Sequence, residues 1–87
     1  MHFRDLNQAQ ILALAITAEE EDARIYRDFT ESLHGDFPAT AELFTRMAEE
    51  EDGHRHRLIE LYRQRFGEHI PLLRDRDVKG FVVRRPS

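Results

Sequence analysis

Apolar positions recur at helical spacing over two long stretches of the chain. The first runs from about Leu6 to Leu33. With about 100° of turn per residue and Leu12 at zero, Ala15, Ile16, Ala23, Tyr26 and Leu33 fall within about 60° of it, with Phe29 at the border. Arg24, Glu21 and Asp28 take the opposite or lateral faces. Asp5 or Asn7 suits the start as a cap, and Gly35 is expected to stop the helix in a left-handed conformation. The second stretch starts near Pro38, whose fixed φ suits a first helical turn, and runs to about Phe66 before Gly67. Phe44, Met47, Ala48, Leu58, Tyr62 and Phe66 share one face of it. Only His34-Gly35-Asp36-Phe37 lies between, a common length for a helix–helix connection. The pattern predicts an all-α antiparallel hairpin of two helices, each roughly 40 Å long at 1.5 Å per residue.

Residues 68–87 read differently. Pro71, Gly80 and Pro86 break any long helix, and Phe81-Val82-Val83 is a small apolar patch. A short helix or an extended strap is expected there, so the organisation reads as a hairpin over 1–67 and a C-terminal extension over 68–87. Two helices alone do not cover two long apolar stripes. A symmetric homodimer closing a four-helix bundle is the economical way to cover them, with a higher oligomer of dimers as an extension.

Composition narrows the class. Eighty-seven residues make one small domain, and without cysteine neither disulfides nor a thiolate metal site can hold it. The longest strictly apolar run, Ile11 to Ile16, is far below the roughly 20 residues of a membrane span, and no signal peptide is visible. The expected setting is cytoplasmic, or the cytoplasmic face of a membrane. Residues 1–73 carry 8 basic and 15 acidic residues, a balance of −7; residues 74–87 carry 5 and 2, a balance of +3. An acidic body excludes nucleic acid as the main partner, since phosphate contacts need clustered Lys and Arg. The basic tail suits either bulk solvent or an anionic membrane surface.

Charge also breaks the apolar stripes. Ala18-Glu19-Glu20-Glu21-Asp22 is echoed 30 residues later by Ala48-Glu49-Glu50-Glu51-Asp52. Most Glu runs simply solvate an outer helix face. Consecutive charges on a helix cannot all point outward, however. Glu19 falls at about 340° on the first wheel, in the middle of the stripe, and Glu51 at about 340° on the second. A buried unpaired carboxylate is costly, so each requires compensation. His54 follows Glu51 by three residues and sits at the stripe's border, so both side chains reach one point. Carboxylate and imidazole together suit iron, manganese or zinc. A dimer gathers four Glu and two His, the ligand inventory of di-iron carboxylate bundles, and two divalent ions balance its four negative charges. His56 should face solvent, and His2, His34 and His69 are unassigned.

These residues form a known pattern. Glu19 followed seven residues later by Tyr26, with Glu51-x-x-His54, resembles the motifs of ferritins and rubrerythrins over about residues 8–66. With one hairpin and one Glu-x-x-His, the chain looks like a half-ferritin of the encapsulated-ferritin type. Ile11-Leu12-Ala13-Leu14-Ala15-Ile16, Glu19-Glu20-Glu21-Asp22, Arg24-Ile25-Tyr26-Arg27-Asp28-Phe29 and Asp77-Val78-Lys79-Gly80-Phe81 look closest to the N-terminal ferritin-like domain of the membrane-bound ferritin, or erythrin–vacuolar iron transporter, family. That resemblance implies iron ligands at Glu19, Glu51 and His54 and a hydrogen-bonding Tyr26 beside them. It also implies Glu50, Glu21 and Asp22 as outer acids on an iron access path, and a membrane transporter domain following in the full-length chain.

The expected function is an inter-subunit di-iron site that oxidises Fe²⁺ with O₂ and serves iron transport, export or detoxification. Glu19, Glu51, His54 and Tyr26 would be its working residues. Two alternatives stand beside it: a metal-free helical dimerisation module, and a structural zinc or manganese site in the same ligands.

Overall fold

The computed structural model describes residues 2–78, the side chains of Phe3 and Asp75 excepted. A 3-10 turn, Phe3–Asp5, precedes two long helices, α1 (Gln8–Leu33) and α2 (Pro38–Phe66), and a second 3-10 turn, Asp75–Asp77, follows them. No strand occurs among the described residues. The helices pack against each other as an antiparallel hairpin. The Phe81-Val82-Val83 patch and the basic residues Lys79, Arg84 and Arg85 lie outside the described residues.

Of the two expected caps, Asn7 is the one used. Its Oδ1 accepts from the Gln10 backbone N–H at 2.8 Å, and Gln10 Oε1 accepts from the Asn7 N–H at 3.0 Å, a reciprocal capping box. The helix therefore begins two residues later than the apolar pattern suggests, and Leu6 packs into the core from outside it.

The expected left-handed stop at Gly35 is not there. Gly67 is the one glycine with positive φ among the described residues, and His34, which caps α1, is right-handed. Residues 34–36 continue as turns, closed by the Phe37 N–H donating to the Leu33 carbonyl at 2.8 Å. Pro38 ends this run instead. Its ring disfavours the α region for the residue before it, and Phe37 accordingly takes φ −135°, ψ 68°. At the other end of α2 Gly67 does act as the stop, with φ 94° and ψ −172°, a region open almost only to glycine; its N–H donates to the Arg63 carbonyl at 3.2 Å.

The helices meet through small residues. Ala23 on α1 and Ala41 and Ala48 on α2 are almost fully buried and allow close approach. Near the connection, Thr30 Oγ1 donates to the Tyr26 carbonyl at 3.1 Å and lies 3.2 Å from both the Ala41 carbonyl and Thr45 Oγ1. Arg27 and Asp52 form an ion pair across the same seam. Phe44 stacks on Tyr26 at 5.9 Å between ring centroids and meets Phe29 in a tilted contact at 4.9 Å.

The other half of the core holds a feature the wheel does not show. Leu14 lies at about 200° from Leu12, opposite the stripe, yet among the described residues it is the largest side chain that is almost wholly buried, at 1% exposure. Residues 68–78 double back to cover it. Leu73 and Val78 join Leu6, Ala13, Leu14, Ile16 and Tyr62 in one cluster, flanked by Leu12, Leu58 and Ile70. The described part of the tail, residues 68–78, is thus an extended strap that carries the 3-10 turn Asp75–Asp77. With α2 on one side of α1 and the strap on another, the remaining front face carries exposed Ile11, Phe29 and Leu43.

Candidate metal centre

The front face holds its carboxylates where the wheels place them. Glu19 comes from the middle of α1, and Glu51 and His54 come from successive turns of α2. Antiparallel packing of the two helices brings all three together. His54 Nδ1 lies 3.6 Å from Glu19 Oε2 and 3.8 Å from Glu51 Oε1, and one donor atom from each residue lies within 4.8 Å of the other two. Among the described residues this is the single group of three or more acidic or imidazole side chains so arranged.

The donor set fits a divalent cation. Metal–oxygen and metal–nitrogen bonds of about 2.0–2.2 Å put neighbouring donors of one ion roughly 3–3.6 Å apart, close to the spacing seen. The two carboxylates are mostly buried and His54 is about half exposed, so the group opens at one edge. Glu19 Oε2 is buried with no hydrogen-bond partner. An orphaned carboxylate oxygen at the centre of a cluster needs a proton or a cation. Three protein donors leave further coordination positions free, as reactive metal sites require.

Electrostatics of the metal-free chain agree. The Glu51 carboxyl is pushed up from 4.5 to about 7, first by sharing a hydrogen bond with Glu19, then by burial and by the Glu19 charge, with His54 opposing. The Tyr26 hydroxyl is also pushed up, by burial first and then by Glu51, Asp22, Glu19 and Glu50, so it keeps its proton and remains a donor beside the acids.

The outer acids separate. Glu50 is exposed and Asp22 half-buried. Glu21 turns away from Glu19 to line a groove of about 320 Å³ with Thr17, Glu20, Leu72, Arg74 and Arg76, between α1 and the strap. His56 is exposed beside Glu60 at 3.4 Å. His34 lines a separate cavity of about 500 Å³ with Arg27, Thr30, Thr45 and Glu49. Sequence reading passed over Arg55, whose Nε is buried with no hydrogen-bond partner. The signal was available: Arg55 falls at about 20° on the α2 wheel, within the apolar stripe.

The Rubrerythrin family model matches residues 10–87, nearly the whole chain, and the protein belongs to that family. Neither the curated proteins nor the solved structures give a match.

Proposed function

We propose that Glu19, Glu51 and His54 bind Fe²⁺, and that two copies pair through their front faces so that two such groups form a di-iron centre with ferroxidase activity. The observation that carries this reading is the orphaned Glu19 oxygen, held with Glu51 and His54 in the middle of an otherwise apolar face. Membership of the rubrerythrin family supports iron as the metal, and the carboxylate-rich donor set suits it. Two chains bring four carboxylates, which two divalent ions neutralise.

In the reaction Fe²⁺ is the substrate: four ions give up one electron each, and O₂ takes four electrons and four protons to form two waters. Glu19 and Glu51 hold the ion and favour its more highly charged product. His54 supplies the nitrogen donor at the open edge. Tyr26, kept protonated among these acids, would serve as a hydrogen-bond donor that orients them. We place the activity in iron transport, export or detoxification. No described helix is long and apolar enough to cross a membrane.

The test is an anaerobic Fe²⁺ titration followed by air, read by absorbance and by light-scattering mass. Saturation at about one iron per chain on a dimer, with an Fe³⁺ band after aeration, is the expected result, since each chain supplies one three-donor group. Binding without oxidation would leave a structural or sensing site, in which zinc or manganese can compete with iron. A stable dimer that binds no metal would reduce the chain to a helical pairing module.

A further inference from the structure

Charge is unevenly distributed along the hairpin. Residues 19–52, the half that holds the connection, carry 12 acidic and 3 basic side chains, a balance of −9. In the other half the first turns of α1, residues 8–18, carry no charge, and residues 53–66 of α2 carry 4 basic and 1 acidic, a balance of +3. The sign changes at the level of Glu19, Glu51 and His54, which lie near the middle of both helices. Two copies that bring these groups together can therefore lie with their connections at the same end or at opposite ends, since a group at mid-length meets its counterpart either way. The charges separate the two arrangements. Same-end packing sets one acidic half against another, and opposite-end packing sets acidic against basic. Two exposed side chains fit the second. Glu50 and Arg57 fall at about 240° and 220° on the α2 wheel, with Phe44 at zero, beside His54 at about 280°. They stand on either side of the Glu51–His54 level, and neither has an ion-pair partner among the described residues. Their separation along the helix axis, about 10.5 Å, is too long for them to pair within one chain.

We propose that the two front faces pair with their connections at opposite ends, and that Glu50 of each copy forms an ion pair with Arg57 of the other. A two-fold axis perpendicular to α2, at the level between Glu51 and His54, carries position 50 of one copy to the neighbourhood of position 57 of the other, and symmetry makes the contact twice. The same axis lays the acidic half of each hairpin over the basic half of its partner. The pair sits at the rim of the face, where charge sets register and orientation more than affinity. Same-end pairing would put Glu50 on Glu50 and Arg57 on Arg57, so the same two residues also act against the wrong arrangement. The inference rests on the pairing reading above and adds to it the orientation and the residues that select it.

The test uses the full chain, with and without saturating Mn²⁺. It reads the dimer dissociation constant by sedimentation equilibrium at low salt, with helicity followed by circular dichroism. Glu50→Arg and Arg57→Glu, each alone, are expected to raise that constant about tenfold, and the double swap Glu50→Arg/Arg57→Glu to bring it back near the wild-type value. Glu42→Arg makes the same charge change on the far side of α2, at about 160°, and is expected to leave the constant as it is. Because the chain has no cysteine, one introduced thiol reports orientation. A mixture of Glu50→Cys and Arg57→Cys chains should form a disulfide between unlike copies on mild oxidation. Neither variant alone should cross-link to itself, since an axial offset of about 10.5 Å exceeds the reach of a disulfide. A double swap no better than the singles, or a self-linked Glu50→Cys dimer, would overturn the proposal and leave the pairing reading intact. A wild-type chain that stays monomeric in both conditions would overturn the two together.

Discussion

Glu51 is where burial, charge and chemistry meet. Because its folded-state value of about 7 lies above the ordinary 4.5, the metal-free fold binds that proton more tightly than the unfolded chain does. The sign is therefore the reverse of the usual carboxylate. This contribution to stability is fully present below about pH 4.5 and is lost as pH rises through about 7. Metal-free protein should thus lose Tm between those limits as pH climbs, and saturating Mn²⁺ or Zn²⁺ should restore it at the upper end; thermal melts at several pH values check both. A cation must displace the same proton, so affinity should fall as pH drops below about 7, with proton release visible by calorimetry in buffers of different ionisation enthalpy. Glu51→Ala should lower metal affinity by about a hundredfold or more and leave helicity intact, because the removed ligand lies on the open front of the hairpin. Unchanged affinity in that variant would move the site elsewhere.

Helix starts and stops were the most legible part of the sequence, though not every signal was used. Asn7 and Gln10 make the capping box, so Asn7→Ala should cost about 1 kcal/mol, seen as a lower Tm. Gly67→Ala should cost about the same or more, since φ 94° suits only glycine. Gly53 is the contrasting case. It sits within α2, and a methyl group there would meet only the far end of Arg57 at 4.0 Å, so Gly53→Ala should stabilise by up to about 1 kcal/mol. Gly35 misled because a glycine after an apolar run reads as a left-handed stop, whereas Pro38 settles the matter by restricting Phe37. The core-facing carboxylates were legible for a firmer reason: four successive acids on a helix force at least one into the stripe, and antiparallel pairing of equal helices brings the two intruders together.

Tertiary burial was less legible. Leu14 points away from the stripe, and nothing in a two-helix wheel brings residues 68–78 back over it. Long-range return of an irregular segment leaves no periodic signal; only the apolar spacing of Ile70, Leu73 and Val78 hints at it. Leu14→Ala should destabilise by about 2–5 kcal/mol, enough to unfold much of so small a domain, which a denaturant titration would show. On the front face, Leu43→Asp should disfavour pairing while sparing the hairpin, because Leu43 is half exposed in the single chain. Sedimentation of that variant as a helical monomer is the expected outcome, and an unchanged dimer would place the contact on another face.

Tyr26 and Tyr62 are the only tyrosines in a chain without tryptophan, and each is buried in a different half of the core. Tyr26 lies beside the carboxylates, and Tyr62 packs in the cluster closed by Leu73 and Val78. Phenol emission from this protein is therefore not swamped by an indole, and it divides into two reporters with separate addresses. Quenching confined to one ring would follow occupancy of the front, and a change in the other would follow movement at the back. With either ring replaced by phenylalanine, a single cuvette distinguishes the two events without any added dye.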